Sequence, residues 1–420
     1  MVCSMGLLLH PQVHAQPPDS LLALWHDPSR SDSIRLRALY DLTWDGYIYS
    51  KPDSAILLGM EMQREARAVG LAYFDARASE LMAAAEYVKG DLRTAILHND
   101  TALALNERIG DQEGIADVIG NQAGMYSVLG ERDKALALYE KSRRIHEEVH
   151  DSVGIANDLN AIGAVHVARG DHARASDFYM QSIHLYQALH DESGMASGQK
   201  NLGALFMREG DYAAALEHYR QALPLAEKLN NQQLTGQCLG EIGVCLEELG
   251  DTAAAMDHYQ RSLAVRQLLD DRRGVANVQT RIGALWLKEG RLQRSMQALT
   301  KAVAMAREEE LPWSLSAALT VQANLWQAKG DHHQALDLAK QAHAAALDAE
   351  DIVVERDALE AQVKSLRALH RWKEALDVQD RLAVLVDSME RDENKRTVLR
   401  NEYRFKYEQR AANDSLRHAM

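Results

Sequence analysis

Small, apolar and polar positions recur along this chain with a period of forty residues, and inside each period the small and apolar ones fall three, four and seven apart. Those intervals mark one face of an α-helix, so each period reads as a pair of amphipathic helices. The first helix of a pair carries a small residue midway, at Ala123, Gly163, Gly203, Gly243 and Gly283. The second carries one early, at Ala95, Ala135, Ala175, Ala215, Ala255, Ala335 and Ala375, then a filler at Tyr139, Tyr179, Tyr219 and Tyr259. Three residues further on the row is small again, at Ala102, Ser142, Ser182, Ala222, Ser262, Ala302 and Ala342. Small residues in register predict two backbones that cross closely.

The boundaries are as regular as the faces. Gly90, Gly130, Gly170, Gly210, Gly250, Gly290 and Gly330 stand forty apart, each followed by an acid except for Arg291. A glycine there suits a left-handed residue that stops the first helix, and the acid suits the N-terminus of the second. Asp111-x-x-Gly114-Ile115-Ala116 recurs at Asp151, Asp191 and Asp271, an N-cap signal for the next first helix. Pro224 is expected to kink a second helix, and Pro312-Trp313 replaces the usual lead-in. Self-similarity at this period means stacking, because one short unit cannot bury its own apolar face.

Composition narrows the function classes. Of the 420 residues, 46% are hydrophobic and 26% charged, with seven prolines, which excludes a disordered chain. A net charge of −14 argues against a nucleic-acid partner. Cys238 and Cys245 lie two turns apart on one predicted helix, too far to bridge, and are expected as small core residues. No phosphate loop, dinucleotide fingerprint or nucleophile elbow occurs. One string, His146-Glu147-Glu148-Val149-His150, has the zinc-protease spacing, with both imidazoles predicted on one helix face. It lies at the end of a second helix without a third ligand, so no metal, cofactor or catalytic residue is expected. Trp286 and Trp326, one period apart, are expected as core fillers.

These motifs resemble the tetratricopeptide repeat, whose signature is a small residue in the first helix, Gly-Asp at the turn, then Ala, an aromatic and Ala or Ser in the second. The forty-residue period is similar to the longer-helix variety of kinesin light chains and cell-polarity scaffolds. The likeness runs from about Asp32 to Glu390 and weakens at both ends, where Ser50-Lys51 and His370-Arg371 replace Gly-Asp. It implies an all-α, right-handed superhelical solenoid of about nine antiparallel helix pairs over residues 20–386. It also implies a concave groove lined by first helices that binds a peptide or protein segment without catalysis. The polar residues at its inward positions are Asn157, Asn160, Lys200, Asn201, Gln237, Glu241, Asn277, Thr280, Arg281, Thr320 and Asn324. Asparagine suits such a groove, since its amide donates to and accepts from a peptide backbone at once.

The two ends differ from the array. Residues 1–19 read as a truncated secretion signal, with Gly6-Leu7-Leu8-Leu9 as the apolar stretch and Val13-His14-Ala15 before Gln16 as a cleavage site, or else as a disordered leader. An exported, periplasmic location is expected on the first reading and a cytoplasmic one on the second. Over 387–420 more than half of the first two dozen residues are charged, and Val398, Phe405 and Ala412 fall seven apart, predicting a long helix with a weak coiled-coil seam. That stretch resembles the juxtamembrane helix of bacterial membrane-bound regulators. The alternative reading is therefore the sensor half of a signalling receptor, dimerising through 387–420 and tethered by a membrane span not present here.

Overall fold

A computed structural model describes residues 19–389, and contacts divide the chain into two units, one ending at Leu205 and the other beginning at Phe206. Among the described residues every regular element is a helix. The first unit holds α1 (Asp19–His26), α2 (Asp32–Gly46), α3 (Pro52–Ala68), α4 (Ala72–Lys89), α5 (Leu92–Ile109), α6 (Gln112–Val128), α7 (Arg132–Glu148), α8 (Ser152–Arg169), α9 (His172–Ala188) and most of α10 (Glu192–Arg208). The second holds α11 (Tyr212–Lys228), α12 (Gln232–Glu248), α13 (Thr252–Leu268), α14 (Arg272–Lys288), α15 (Leu292–Glu308), α16 (Pro312–Ala328), α17 (His332–Asp348), α18 (Ile352–Ala368) and a helix over 372–389, α19. Even-numbered helices are the first members predicted by the period and odd-numbered ones the second. Among the described residues no helix is long and apolar enough to cross a membrane. The leader up to residue 18 and the seam residues Val398, Phe405 and Ala412 lie outside the described residues.

From α3 to α18 each helix ends at the same kind of stop. The ruler glycines all have positive φ, from 72° at Gly290 to 89° at Gly250. The amide after the glycine reaches back to the helix, as from Asp91 N to Glu86 O at 3.0 Å, which closes a Schellman turn. A second ruler, invisible as a glycine pattern, ends the other helices. Gly70 and Gly110 give way to His150, His190, Asn230, Asp270, Glu310 and Glu350, each at φ between 50° and 59°. A left-handed side chain costs about 1 kcal/mol, and here the turn's hydrogen bonds offset it. The acid then caps the next helix: Asp91, Asp111, Asp171, Asp211, Asp251, Asp271 and Asp331 each accept a backbone N–H with the side chain. Pro312 takes the first turn of α16, where its missing N–H costs nothing, so the apparent break is a helix start. α11 continues through Pro224 to Lys228.

The small and aromatic rows pack as the spacing predicts. Tyr139, Tyr179, Tyr219 and Tyr259 are buried, and the mid-helix glycines make room for two of them. A Cβ on Gly163 would lie 2.8 Å from the Tyr179 ring, and one on Gly243 would lie 2.5 Å from the Tyr259 ring. The serines of the following row tie each pair together through a carbonyl of the first helix: Ser142 Oγ to Ala116 O at 2.9 Å, Ser182 to Ala156 at 2.8 Å and Ser262 to Gly236 at 2.7 Å. Cys238 and Cys245 are fully buried and form no disulfide, and burial pushes Cys245 up to about 12. Trp286 and Trp326 are half-buried, the latter with Lys329 Nζ 3.8 Å from its ring centre.

The lead-in glycine has a role beyond starting a helix. A Cβ on Gly114, Gly154, Gly194 or Gly274 would overlap the side chain eight residues earlier: Asn106, His146, Tyr186 or Arg266. Where that earlier residue is alanine, the glycine is replaced by something larger, as in Ala226 with Leu234, Ala306 with Ser314 and Ala346 with Val354, all buried. Each junction between repeats is thus one fixed volume split two ways. Gly194→Leu alone should cost more than about 2 kcal/mol by overpacking against Tyr186, and Tyr186→Ala alone should leave a cavity. The double variant copies the Ala226–Leu234 pair, so urea unfolding should show a favourable coupling of at least about 1 kcal/mol; additive costs would refute the shared volume.

Candidate functional site

Within the first unit the inner faces of α2, α4, α6 and α8 enclose a cavity of about 310 Å³. Tyr40 and Trp44 of α2, stacked with ring centres 6.0 Å apart, form one wall. Arg77 and Glu80 of α4, Asp117 and Asn121 of α6, and Asn157 and Asp158 of α8 supply the polar lining, with His146 entering from the end of α7. The repeat explains the arrangement. Arg77, Asp117 and Asn157 occupy one register position forty apart, and Glu80, Gly120 and Asn160 another, so equivalent side chains form stripes across successive first helices.

The charges here are only partly matched. Arg77 Nη1 lies 2.7 Å from Glu80 Oε2 and 3.8 Å from Asp117 Oδ2, while its Nε donates to Tyr73 Oη at 3.2 Å. Glu80 also accepts from Asn106 Nδ2 at 3.3 Å, yet burial still raises its pKa against the pull of Arg77. Asp117 keeps 42% of its side-chain surface and lines the cavity. Withdrawal from bulk solvent, reinforced by the Glu80 charge and opposed by Arg77, raises it to about 7. Asp158 is 5% exposed, and burial pushes it up to about 8 despite the Ser142 hydroxyl and the Arg143 charge. Its Oδ2 has no hydrogen-bond partner. Asp158 also breaks the repeat: its register position is otherwise Ala78, Val118, Gly198, Cys238, Val278, Ala318 and Ala358, small or apolar at every step.

The zinc-protease string does not survive folding. α7 ends at Glu148, and His150 is the left-handed residue of the turn at φ 59°, so the two imidazoles do not share a helix face. His146 is 2% exposed and sets Nδ1 2.9 Å from Asp151 Oδ2. Burial lowers its pKa, with the Asp151 charge opposing. Among the described residues no three His, Cys, Asp or Glu side chains are placed to hold a metal.

Of the groove residues expected from sequence, Asn157 lines the cavity, and its Oδ1 accepts from Tyr186 Oη at 2.6 Å. Asn160 accepts from Asn201 Nδ2 at 3.0 Å, joining α8 to α10, and Lys200 is half-buried beside Asn201. In the second unit Gln237 and Glu241 are half-buried on α12, and Asn277 on α14 accepts from Ser314 Oγ at 2.7 Å. Thr280 donates to its own helix at Ala276 O, at 2.9 Å, Arg281 is exposed, and Thr320 and Asn324 stand on α16, the former buried with no partner for its hydroxyl. Sequence reasoning missed Arg77, Glu80, Asp117, Asn121 and Asp158. Stepping back one or two periods from Asn157, Asn160 and Asn201 reaches the first four, and the lone carboxylate in an apolar register marks the fifth.

Residues 114–188 and 194–268 match the family model of the tetratricopeptide repeat. No curated protein matches the chain. Among solved structures, a Rap protein complexed with competence and sporulation factor aligns over 86% of this chain and 98% of its own at 14% identity and a TM-score of 0.56. Aspartyl phosphate phosphatase F from Bacillus subtilis aligns over 85% and 94% at 15% identity and a TM-score of 0.55. A signal transduction ATPase with numerous domains and a tetratricopeptide repeat sensor, from Pyrococcus horikoshii, aligns over 87% of this chain and 53% of its own, at 14% identity and a TM-score of 0.57. At these identities the likeness is one of fold.

The charge arrangement makes a pH prediction. Between the ordinary carboxyl pKa of 3.8 and about 8 the unfolded chain gives up the Asp158 proton while the folded chain holds it, so this group makes stability fall as pH rises. Asp117, Arg143, His146, Asp151 and Tyr186 face the same carboxyl and remain in place in an amide replacement. Asp158→Asn should therefore gain on the wild type between pH 5 and pH 9, by up to about 1.4 kcal/mol per unit of displaced pKa, in urea midpoints. A stability difference that stays constant over that range would contradict the assignment.

Proposed function

The chain is a tetratricopeptide-repeat protein, and on that premise we propose that it is a non-catalytic interaction module whose first unit holds a peptide or partner-protein segment in its cavity. The observation that carries this reading is the cavity itself, about 310 Å³ between first helices of four successive repeats, with polar side chains on the same stripes. A volume of that order suits one or two side chains of an extended segment rather than a large cofactor. Repeat arrays of this fold serve typically as interaction or sensor modules, and the Rap structure of the same fold was solved in complex with competence and sporulation factor.

Asn121 of α6 is half-buried on the cavity wall, so Asn121→Trp fills the cavity from a position with room to change. Leu97 of α5 is 65% exposed and serves as the control, as Leu97→Gln. Random peptides displayed on phage and selected on the full chain should yield binders. Asn121→Trp, with unchanged helical circular dichroism, should weaken them at least about ten-fold, or 1.4 kcal/mol, while Leu97→Gln leaves them alone. Failure to enrich any peptide, or equal binding to Asn121→Trp, would refute the reading.

A further inference from the structure

Polar atoms of Asp117, Asp158 and His146 face one another inside the cavity without a hydrogen bond between the imidazole and either carboxyl. His146 Nδ1 sits 2.9 Å from Asp151 Oδ2, and a carboxylate oxygen only accepts, so the ring proton is on Nδ1 and Nε2 is left with its lone pair. That Nε2 is 3.9 Å from Asp158 Oδ2 and 4.0 Å from Asp117 Oδ1, beyond hydrogen-bond reach of either. Asp158 is buried, its Oδ2 is unpartnered, and it occupies a register position that is otherwise small or apolar. The nearby cations do not resolve this: Arg77 is committed to Glu80 at 2.7 Å and only approaches Asp117, and Arg143 is paired with Glu140 at 2.8 Å and with Glu147. A buried polar atom without a partner costs free energy that a ligand donor recovers.

Resting on the peptide reading above, we propose that Asp158 Oδ2, Asp117 Oδ1 and His146 Nε2 together bind a primary ammonium group of the bound segment. An ammonium carries three N–H donors and no acceptor, whereas a guanidinium is a planar fork that suits one carboxylate edge-on. Three acceptors at about 2.8 Å from one tetrahedral nitrogen stand about 4.6 Å apart, against 3.9 Å and 4.0 Å from His146 Nε2 to the two carboxyl oxygens. Burial holds both carboxyls up against the pull of Arg77 on Asp117 and of Arg143 on Asp158, so an ammonium bound between them displaces their protons. The ammonium has two sources, a lysine side chain or a free amino terminus.

Three random peptide pools separate them: N-acetylated with one fixed lysine, lysine-free with a free amino terminus, and N-acetylated and lysine-free with arginine allowed. At least one ammonium-bearing pool should bind the full wild-type chain ten-fold or more tighter than the third. Asp158→Asn should erase that advantage without weakening the third pool, and Asp117→Asn, at a half-open position that tolerates change, should reduce it. Equal binding of all three pools, or an advantage that survives Asp158→Asn, would overturn the ammonium site while leaving the peptide reading intact. If no pool binds the wild type better than Asn121→Trp, the peptide reading itself falls.

Discussion

Register is the constraint on which the rest of this structure depends. A left-handed residue stops the chain every twenty positions from Gly70 to His370, alternating between a glycine ruler and a mostly non-glycine one. With the stops fixed, the helices between them are seventeen or eighteen residues long, and most begin at a capping side chain. Equal helices keep each side chain at the same height and on the same face as its equivalent forty residues away. Stripes, rather than isolated contacts, are the consequence, and both the packing and the polar lining are built from stripes. An insertion of one residue in any helix would rotate every later side chain by about 100° and dissolve the stripe.

Most of this was legible in the sequence, for physical reasons. Glycine is needed where φ is positive and nothing else compensates, so the ruler at Gly90 through Gly330 could be read directly. Alanine, tyrosine and serine rows could be read because small and large residues must alternate where backbones cross closely. The second ruler was not legible: histidine, asparagine, aspartate and glutamate reach the same conformation at modest cost once the Schellman bonds are formed, and no residue type marks them. The lead-in glycine was seen, but as a helix start. Its dependence on Asn106, His146, Tyr186 and Arg266 appears only when two helices are brought together, although the exchange with Ala226 and Leu234 left a trace.

The candidate site was legible in its periodicity and missed in its position. Polar residues on first helices were the ones expected to line a groove, and several of them already have partners, Asn157 in Tyr186 and Asn160 in Asn201. An asparagine amide is small and neutral, so a neighbouring helix satisfies it at little cost. Carboxylates are harder to satisfy, and the cavity is where they accumulate. The His146 string shows the opposite failure, a motif spelled out in sequence whose second histidine falls beyond the end of the helix.

A chain built from stripes also makes exceptions informative. Stability alone favours keeping a small or apolar residue at each step of the row that runs from Ala78 to Ala358, because a buried carboxylate without a partner is among the more costly substitutions a core position can receive. Asp158 has that cost and only a partial return: the Ser142 hydroxyl reaches its carboxyl, but its Oδ2 has no hydrogen-bond partner, and His146 Nε2 stands 3.9 Å away. Glu80, by contrast, is buried but answered by Arg77 and Asn106. The difference between an acid that the fold satisfies and one that it leaves open, a few ångströms apart in the same cavity, is what turns a repeat array into a site with a preferred ligand charge.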